Sequence, residues 1–136
     1  MDTGYIRRRK QQGGFKDKKI KINPLKYTLS NGMTVLVGRN NKENDQLTLK
    51  TASKQDVWMH TKDIPGSHLI IQTGGIQVDD LEDTTIYEAA SIAAYHSKAR
   101  TSENVPVDYV PVKYVKKPQG AKPGMVIFTN NRRRIV

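Results

Sequence analysis

Apolar and polar residues alternate from position 27 to position 37. Tyr27 and Leu29 precede Asn31-Gly32, and Met33, Val35 and Val37 resume the pattern after it. A period of two around an Asn-Gly pair predicts a β-hairpin, and the pair suits a type I′ turn because both residues tolerate positive φ. Gly38-Arg39-Asn40-Asn41 reads as a loop. Residues 43–53 then hold Leu47, Leu49 and Ala52 among polar positions, which predicts a short helix capped at Asn44 or Asp45. Residues 57–60 and 69–72 read as strands. The turn between them, 61–67, contains Pro65, which fixes φ, and Gly66, which relieves crowding at the next position.

Residues 85–99 carry the clearest helical pattern. Thr85 and Glu88 are spaced as a capping box, and Ile86, Ala89, Ala90, Ala93 and Ser97 fall on one face. A face of alanines lets a helix lie close against a sheet, and Lys98 and Arg100 complement the negative end of its dipole. From Pro106 the pattern turns extended through Val107, Tyr109, Val110, Val112 and Val115. A loop follows at 118–124, then a strand at 125–129, a turn at Asn130-Asn131, and a last short strand at 134–136. The expectation is an α+β domain. It has a mostly antiparallel sheet of about six or seven strands, one long Ala-faced helix packed on it, and a second, short helix.

Composition narrows the partners. Of 136 residues 36% are hydrophobic, enough for one core. No run approaches the roughly 18 apolar residues of a membrane span, and the basic N-terminal stretch is followed by no apolar signal-peptide core. The chain has no cysteine, which removes disulfides and thiolate metal sites and favours a cytoplasmic home. Lys and Arg number 23 against 13 Asp and Glu, and the excess is uneven. Residues 1–26 hold a net charge of +7 and residues 27–136 only +3, with a second cluster at Arg132, Arg133 and Arg134. Residues 1–23 therefore read as a basic flexible arm and 24–136 as the folded domain. Clustered cations recruit polyanions by releasing counterions, so nucleic acid or an anionic surface is the default partner, beside the plainer reading of a basic tail that only aids solubility.

The densest chemistry lies in Asp56-Val57-Trp58-Met59-His60-Thr61-Lys62-Asp63-Ile64-Pro65-Gly66-Ser67-His68, which holds the only tryptophan and two of the three histidines. Strand alternation puts Trp58 and His60 on one face, Val57 and Met59 on the other. Read for function, an aromatic ring and an imidazole stack on bases while Lys62 and turn N–H groups hold phosphate. Read for structure, Trp58 is core and His60 a satisfied hydrogen-bonding residue. His60, Asp63 and His68 fit no zinc spacing, Ser67, His68 and Asp63 are too close in sequence for a nucleophilic triad, and no phosphate-loop motif is present. Lys116, Lys117 and Lys122 around the 118–124 loop are further cations for a phosphate backbone.

That central stretch resembles the signature of the NFACT-R domain, in which Lys-Asp-Ile-Pro-Gly-Ser-His recurs. Three further segments agree in order. They are Val37-Gly38-Arg39-Asn40-Asn41 with Asn44-Asp45 and Leu47-Thr48, Glu88-Ala89-Ala90 with Ala93-Ala94-Tyr95-His96-Ser97, and residues 112–126 through Lys116-Lys117-Pro118 and Lys122-Pro123-Gly124. Met59 departs from the pattern, where an aromatic is more usual, but fills an apolar site equally well. The resemblance spans about residues 5–136. The family comprises fibronectin-binding protein A-like, bacterial ribosome quality-control factors several times longer than this chain, in which NFACT-R is the C-terminal, RNA-contacting module.

The resemblance implies tRNA and large-subunit ribosomal RNA as partners, beside the other domains of such a protein. It implies support of message-independent alanine tailing of stalled chains, with no catalytic residue, metal or cofactor in this domain and no membrane. The residues expected to serve RNA are Arg39, Asn40 and Asn41 for backbone or base contacts, Trp58 and His60 for stacking or shaping a pocket, and Lys62, Asp63, Ser67 and His68 around the phosphate or sugar. Lys98, Arg100, Lys113, Lys116 and Lys117 would supply the surrounding field. Two rivals stand beside this reading: a fibronectin-binding or other adhesin module, and a metal-dependent hydrolase built on His60, Asp63 and His68.

Overall fold

The computed structural model describes residues 22–136, so the expected arm at 1–23 lies outside the described residues save for its last two positions. A six-stranded antiparallel sheet runs through the described residues in the order β1-β2-β4-β3-β5-β8. Its strands are β1 (Leu25–Thr28), β2 (Thr34–Val37), β3 (Val57–Thr61), β4 (Leu69–Gln72), β5 (Pro106–Pro111) and β8 (Arg132–Ile135). A separate two-stranded ribbon pairs β6 (Val115–Lys116) with β7 (Ile127–Phe128). Two α-helices complete the fold, α1 (Asn41–Gln46), which continues as a π-helical turn at Leu47–Thr51, and α2 (Asp83–Tyr95).

The sheet divides the apolar residues into two clusters because neighbours along a strand point to opposite faces. Val35, Val37, Val57, Met59, Leu69 and Ile71 face α2 and meet Ile86, Ala89, Ala90 and Ala93. Trp58, Ile70 and Val110 face the other way and pack with Leu47 of the π-helical turn, with Val112 of the 3-10 turn at Val112–Tyr114, and with Val115 and Phe128 of the ribbon. The single core expected from composition is therefore two unequal layers sharing one sheet. Full burial of side chains such as Ile70 and Met59, both 0% exposed, stabilises the fold by roughly 1.5–3 kcal/mol each.

Several local expectations are corrected. The β1–β2 turn is not type I′: Gly32 has φ +91°, but Asn31 is not at positive φ. Gly32 N–H donates to Leu29 O at 2.9 Å and Leu29 N–H to Met33 O at 2.8 Å, a three-residue loop that needs left-handed geometry only at its last residue. Helix α1 starts earlier than expected. Its N-cap is Asn40, whose side chain accepts from Glu43 N–H at 2.8 Å, which leaves Asn44 and Asp45 for longer-range bonds.

Helix α2 is thirteen residues, shorter than the span 85–99, and Thr85 and Glu88 form no capping box. Thr85 is buried and accepts from Asn31 Nδ2 at 3.0 Å, while Glu88 accepts from Ser30 N–H at 3.0 Å. Both side chains tie the helix to the β1–β2 hairpin. The helix ends at Tyr95, so Ser97, Lys98 and Arg100 lie beyond it. The strand expected at 125–129 reduces to Ile127–Phe128, whereas the last strand begins two residues earlier than expected, at Arg132.

Candidate nucleic-acid interface

The bend after β3 is pinned by its backbone. Lys98 N–H donates to Pro65 O at 2.9 Å and Ser67 N–H to His96 O at 3.2 Å, while Thr61 Oγ1 donates to Ile64 O at 2.9 Å. Gly66 pairs with Ser97 in an isolated bridge. A Cβ at Gly66 would lie 2.9 Å from Ser97 Cβ and 3.0 Å from Thr61 Oγ1, so only glycine lets the chain beyond α2 approach this closely. The bend thereby separates two clefts.

The first, a groove of about 420 Å³, is lined by Arg39, Asn40, Asn41, Ser67, Lys98 and Arg100, with Tyr95 and His96 at its helix side; no carboxylate lines it. Arg39 is held by Glu43 of the first turn of α1, with Nε 3.1 Å from Oε1 and Nη2 3.1 Å from Oε2. Glu43 also accepts from the backbone N–H groups of Arg39 at 2.8 Å and Asn23 at 3.0 Å. The Arg39 hydrogen bond holds the Glu43 carboxyl down at about 2, against the opposing effect of burial. Arg100 lies 4.0 Å over the ring of Tyr95, which is itself exposed. A guanidinium stacked on an exposed ring, with Lys98 in the same lining, suits a phosphate and its flanking sugar.

The second cleft, of about 510 Å³, opens on the other side of the bend. Lys62, Asp63 and Pro65 form one wall, and Met125, Val126 and Phe128 of the ribbon the other. Trp58, His60 and His68 form its floor. Trp58 is 1% exposed; His60 stacks parallel to it with centroids 5.9 Å apart, and Phe128 covers it at 4.8 Å. His68 meets its edge at 5.4 Å. Trp58 is therefore a covered part of the cleft floor and not an open platform for bases, and its Nε1 is the one buried side-chain N or O without a hydrogen-bond partner among the described residues.

His68 is also corrected as a phosphate holder. It is 1% exposed, and both ring nitrogens are engaged, Nδ1 with Thr48 Oγ1 at 2.9 Å and Nε2 with Gly124 O at 3.1 Å. A carbonyl only accepts, so Nε2 carries the proton and Thr48 donates to Nδ1. Burial, with a further push from His60, lowers its pKa to about 4. His60 has Nδ1 2.6 Å from Thr61 O and Nε2 3.3 Å from Gly66 O. Burial lowers its pKa too, and a neutral ring donates to only one of those carbonyls.

The expected residues thus divide. Arg39, Asn40, Ser67, Lys98 and Arg100 gather in the groove; Trp58, His60, Lys62, Asp63 and His68 in the cleft; Asn41 lines both. Lys62 is paired with Asp63 at 2.6 Å, which lowers the Asp63 pKa. Lys113, Lys116 and Lys117 line neither. Lys117 is a structural tie, 3.2 Å from Asp45 and donating to Lys122 O at 2.6 Å and Met125 O at 3.1 Å. Lys113 sits 5.2 Å over Tyr114, and Lys116 is exposed on β6. Tyr95, Phe128 and Asp108 join the site without having been singled out in the sequence. Among the described residues no group of three His, Cys, Asp or Glu side chains is arranged to hold a metal. Asp63 points into solvent, 84% exposed, and completes no triad with His68.

An antiparallel α+β domain with a carboxylate-free cationic groove beside an aromatic cleft has the makings of a small polyanion-binding module. The family model of the NFACT protein RNA binding domain matches residues 24–130, and the chain belongs to that family. It is 48% identical over 130 residues to the Rqc2 homolog RqcH of Bacillus subtilis, covering 94% of this chain and 22% of that protein. It is 44% identical over 133 residues to the Rqc2 homolog RqcH of Streptococcus pneumoniae, covering 97% and 23%. The chain therefore spans under a quarter of these relatives. Its fold matches the C-terminal part of the fibronectin/fibrinogen-binding protein from Streptococcus suis, with TM-score 0.77 and 40% identity over 99% of this chain and 51% of the other.

Proposed function

We propose that the chain is the RNA-contacting module of a ribosome quality-control factor of the RqcH kind, that it grips tRNA or ribosomal RNA on obstructed large subunits, and that it performs no bond chemistry. In a whole protein of that kind the grip supports message-independent alanine tailing of the stalled chain, in the cytoplasm; no described helix is long and apolar enough to cross a membrane. The observation that carries the reading is the groove: Arg39, Lys98 and Arg100 converge with no carboxylate in the lining. The arrangement suits a sugar-phosphate strand passing over the bend.

Lys98 and Arg100 on two phosphates, with the charge of Arg39 balanced by Glu43, give a log–log salt slope of about −1.5 to −2, a loss of roughly 8- to 16-fold in affinity between about 50 and about 200 mM salt. Fluorescence anisotropy with labelled tRNA tests this. The double variant Lys98→Ala/Arg100→Ala is expected to flatten the slope by about 2, and Lys113→Ala, which lines neither cleft, to leave it alone. Equal slopes for all three proteins would remove the groove from the interface. A second reading, fibronectin binding, rests on the name of the Streptococcus suis relative. Capture on immobilised fibronectin that tRNA fails to compete away would favour it.

A further inference from the structure

The two clefts that meet at Pro65 and Gly66 differ in charge, and the difference sorts the parts of a nucleotide. The groove presents Lys98 and Arg100 with no carboxylate in its lining, beside Arg39, whose guanidinium is held by Glu43. In the cleft, the ammonium of Lys62 is already held by Asp63 at 2.6 Å, and the buried carboxylate of Asp108 is held by Arg133 at 3.0 Å. His60 and His68 are pushed toward their neutral forms by burial. The cleft therefore has little to offer a phosphate. The apolar residues Pro65, Val126 and Phe128 of its lining and its volume of about 510 Å³, within the roughly 300–1,000 Å³ typical of small-ligand sites, suit a flat, uncharged, polar group.

Among the described residues, one buried polar side-chain atom lacks a partner, and it belongs to a residue lining this cleft: Trp58 Nε1. Buried indole N–H groups ordinarily find an acceptor. Carbonyls of residues lining the cleft meet other donors: a neutral His60 donates to one of Thr61 O and Gly66 O, Gly124 O accepts from His68, Ile64 O accepts from Thr61, and none is hydrogen-bonded to Trp58 Nε1. A donor left over in a neutral pocket calls for an acceptor brought by a ligand.

We propose that the cleft receives a single unstacked nucleobase, edge first, whose carbonyl oxygen or ring nitrogen accepts a hydrogen bond from Trp58 Nε1, while the adjoining phosphate crosses the bend into the groove. The proposal rests on the RNA-binding reading and adds a base-reading subsite to it. Recognition is by edge and shape, since His60 and Phe128 already cover the tryptophan ring. The ribbon is the entry side: Met125 is 60% exposed, and Phe128 must yield for the base to reach the indole. A paired base has its edge occupied and stays in its stack, so the cleft selects loops and single strands over duplex.

The chain has one tryptophan, so its indole gives a single 1H–15N signal. The 15N-labelled chain is titrated with each of the four homotetranucleotides and with an abasic ribose-phosphate tetramer of equal charge. At least one base-bearing strand is expected to move the indole proton downfield with the Gly66 and Phe128 amides. The abasic strand is expected to move only Lys98 and Arg100. Trp58→Phe, which deletes the donor and keeps a ring, is expected to weaken the best base-bearing strand about tenfold and leave the abasic strand unchanged; if that variant does not fold, the titration of the parent chain decides alone. An indole signal that stays still with all four strands overturns the proposal. If Lys98 and Arg100 still respond, the RNA reading survives it; if they too stay still, both fall.

Discussion

Replacing Glu43 with Gln tests whether the groove is held together by one buried carboxylate. The side chain is 5% exposed and accepts four hydrogen bonds, from the backbone of Asn23 and Arg39 and from two nitrogens of the Arg39 guanidinium. These hold its pKa near about 2, against 4.5 for the free group. A carboxyl depressed in the folded state stabilises above its unfolded pKa, and that stability is lost as pH falls from 4.5 toward about 2. The full linkage value of such a shift is about 3.4 kcal/mol at roughly 1.36 kcal/mol per pH unit. That figure is an upper bound, because the Arg39 side chain is 47% exposed and water screens the pair; about 1–2 kcal/mol is the share left after screening.

Glu43→Gln keeps the shape and removes the charge. The variant is expected to lose about 1–2 kcal/mol of unfolding free energy at neutral pH. It is also expected to show a flatter fall in stability across the window from 4.5 to about 2. Urea unfolding at stepped pH measures both. Every other carboxyl titrates alike in the two proteins, so the difference between their curves isolates Glu43. Parallel curves through that window, or equal stability at neutral pH, would refute the assignment of Glu43 as the anchor of Arg39 and of the start of α1.

Two further perturbations address the bend and the cleft floor. His68→Gln is expected to remove a second acid-sensitive step. A histidine whose folded pKa is lowered to about 4 stabilises at neutral pH and loses that contribution as pH falls from 6.5 to about 4, so the parent chain should lose stability in that window and the variant much less. The same stepped-pH unfolding reads it, and a variant that matches the parent there would contradict the buried, neutral placement of His68. Gly66→Ala should destabilise by about 1–3 kcal/mol, because its methyl would lie 2.9 Å from Ser97 Cβ. Thermal unfolding measures the cost, and an unchanged midpoint would mean that the bend does not sit this tightly on the end of α2.

The sheet was legible in the sequence wherever a strand alternates over a half-buried face. Val35 and Val37, Val57 and Met59, and Val107 all fell where the period of two placed them. Local motifs were less reliable, because polar side chains that resemble caps are also the ones that serve long-range bonds. Thr85 and Glu88 have capping-box spacing, yet the β1–β2 hairpin claims both. Asn44 stands before the first apolar residue of its helix, yet its Oδ1 accepts from His68 N–H at 3.2 Å, 24 positions away. The cap fell instead to Asn40, ahead of a first turn whose buried residues, Glu43 and Asn44, are polar. A search keyed to apolar periodicity starts too late there.

The site shows the same limit with more consequence for function. The sequence marks 56–68 as one cluster, and strand alternation places Trp58 and His60 on one face. Nothing in it states what covers that face. The cover comes from Phe128, 70 positions beyond Trp58, on a two-residue strand whose other residue, Ile127, is exposed. Held under it, the tryptophan cannot act as the open stacking surface its identity suggests, and its buried Nε1 has no hydrogen-bond partner among the described residues. The cations follow a similar rule. Lys117 is tied to Asp45 and Lys62 to Asp63, whereas Lys98 and Arg100, expected both to complement a helix dipole and to supply a field for RNA, stand past the end of α2 on the carboxylate-free side of the bend. Charge alone does not mark the interface. The end of α2 and the Pro65-Gly66 bend decide which cations remain available to a phosphate, so the grip on RNA proposed above would depend on Gly66, which makes room for the chain beyond α2, as much as on any arginine.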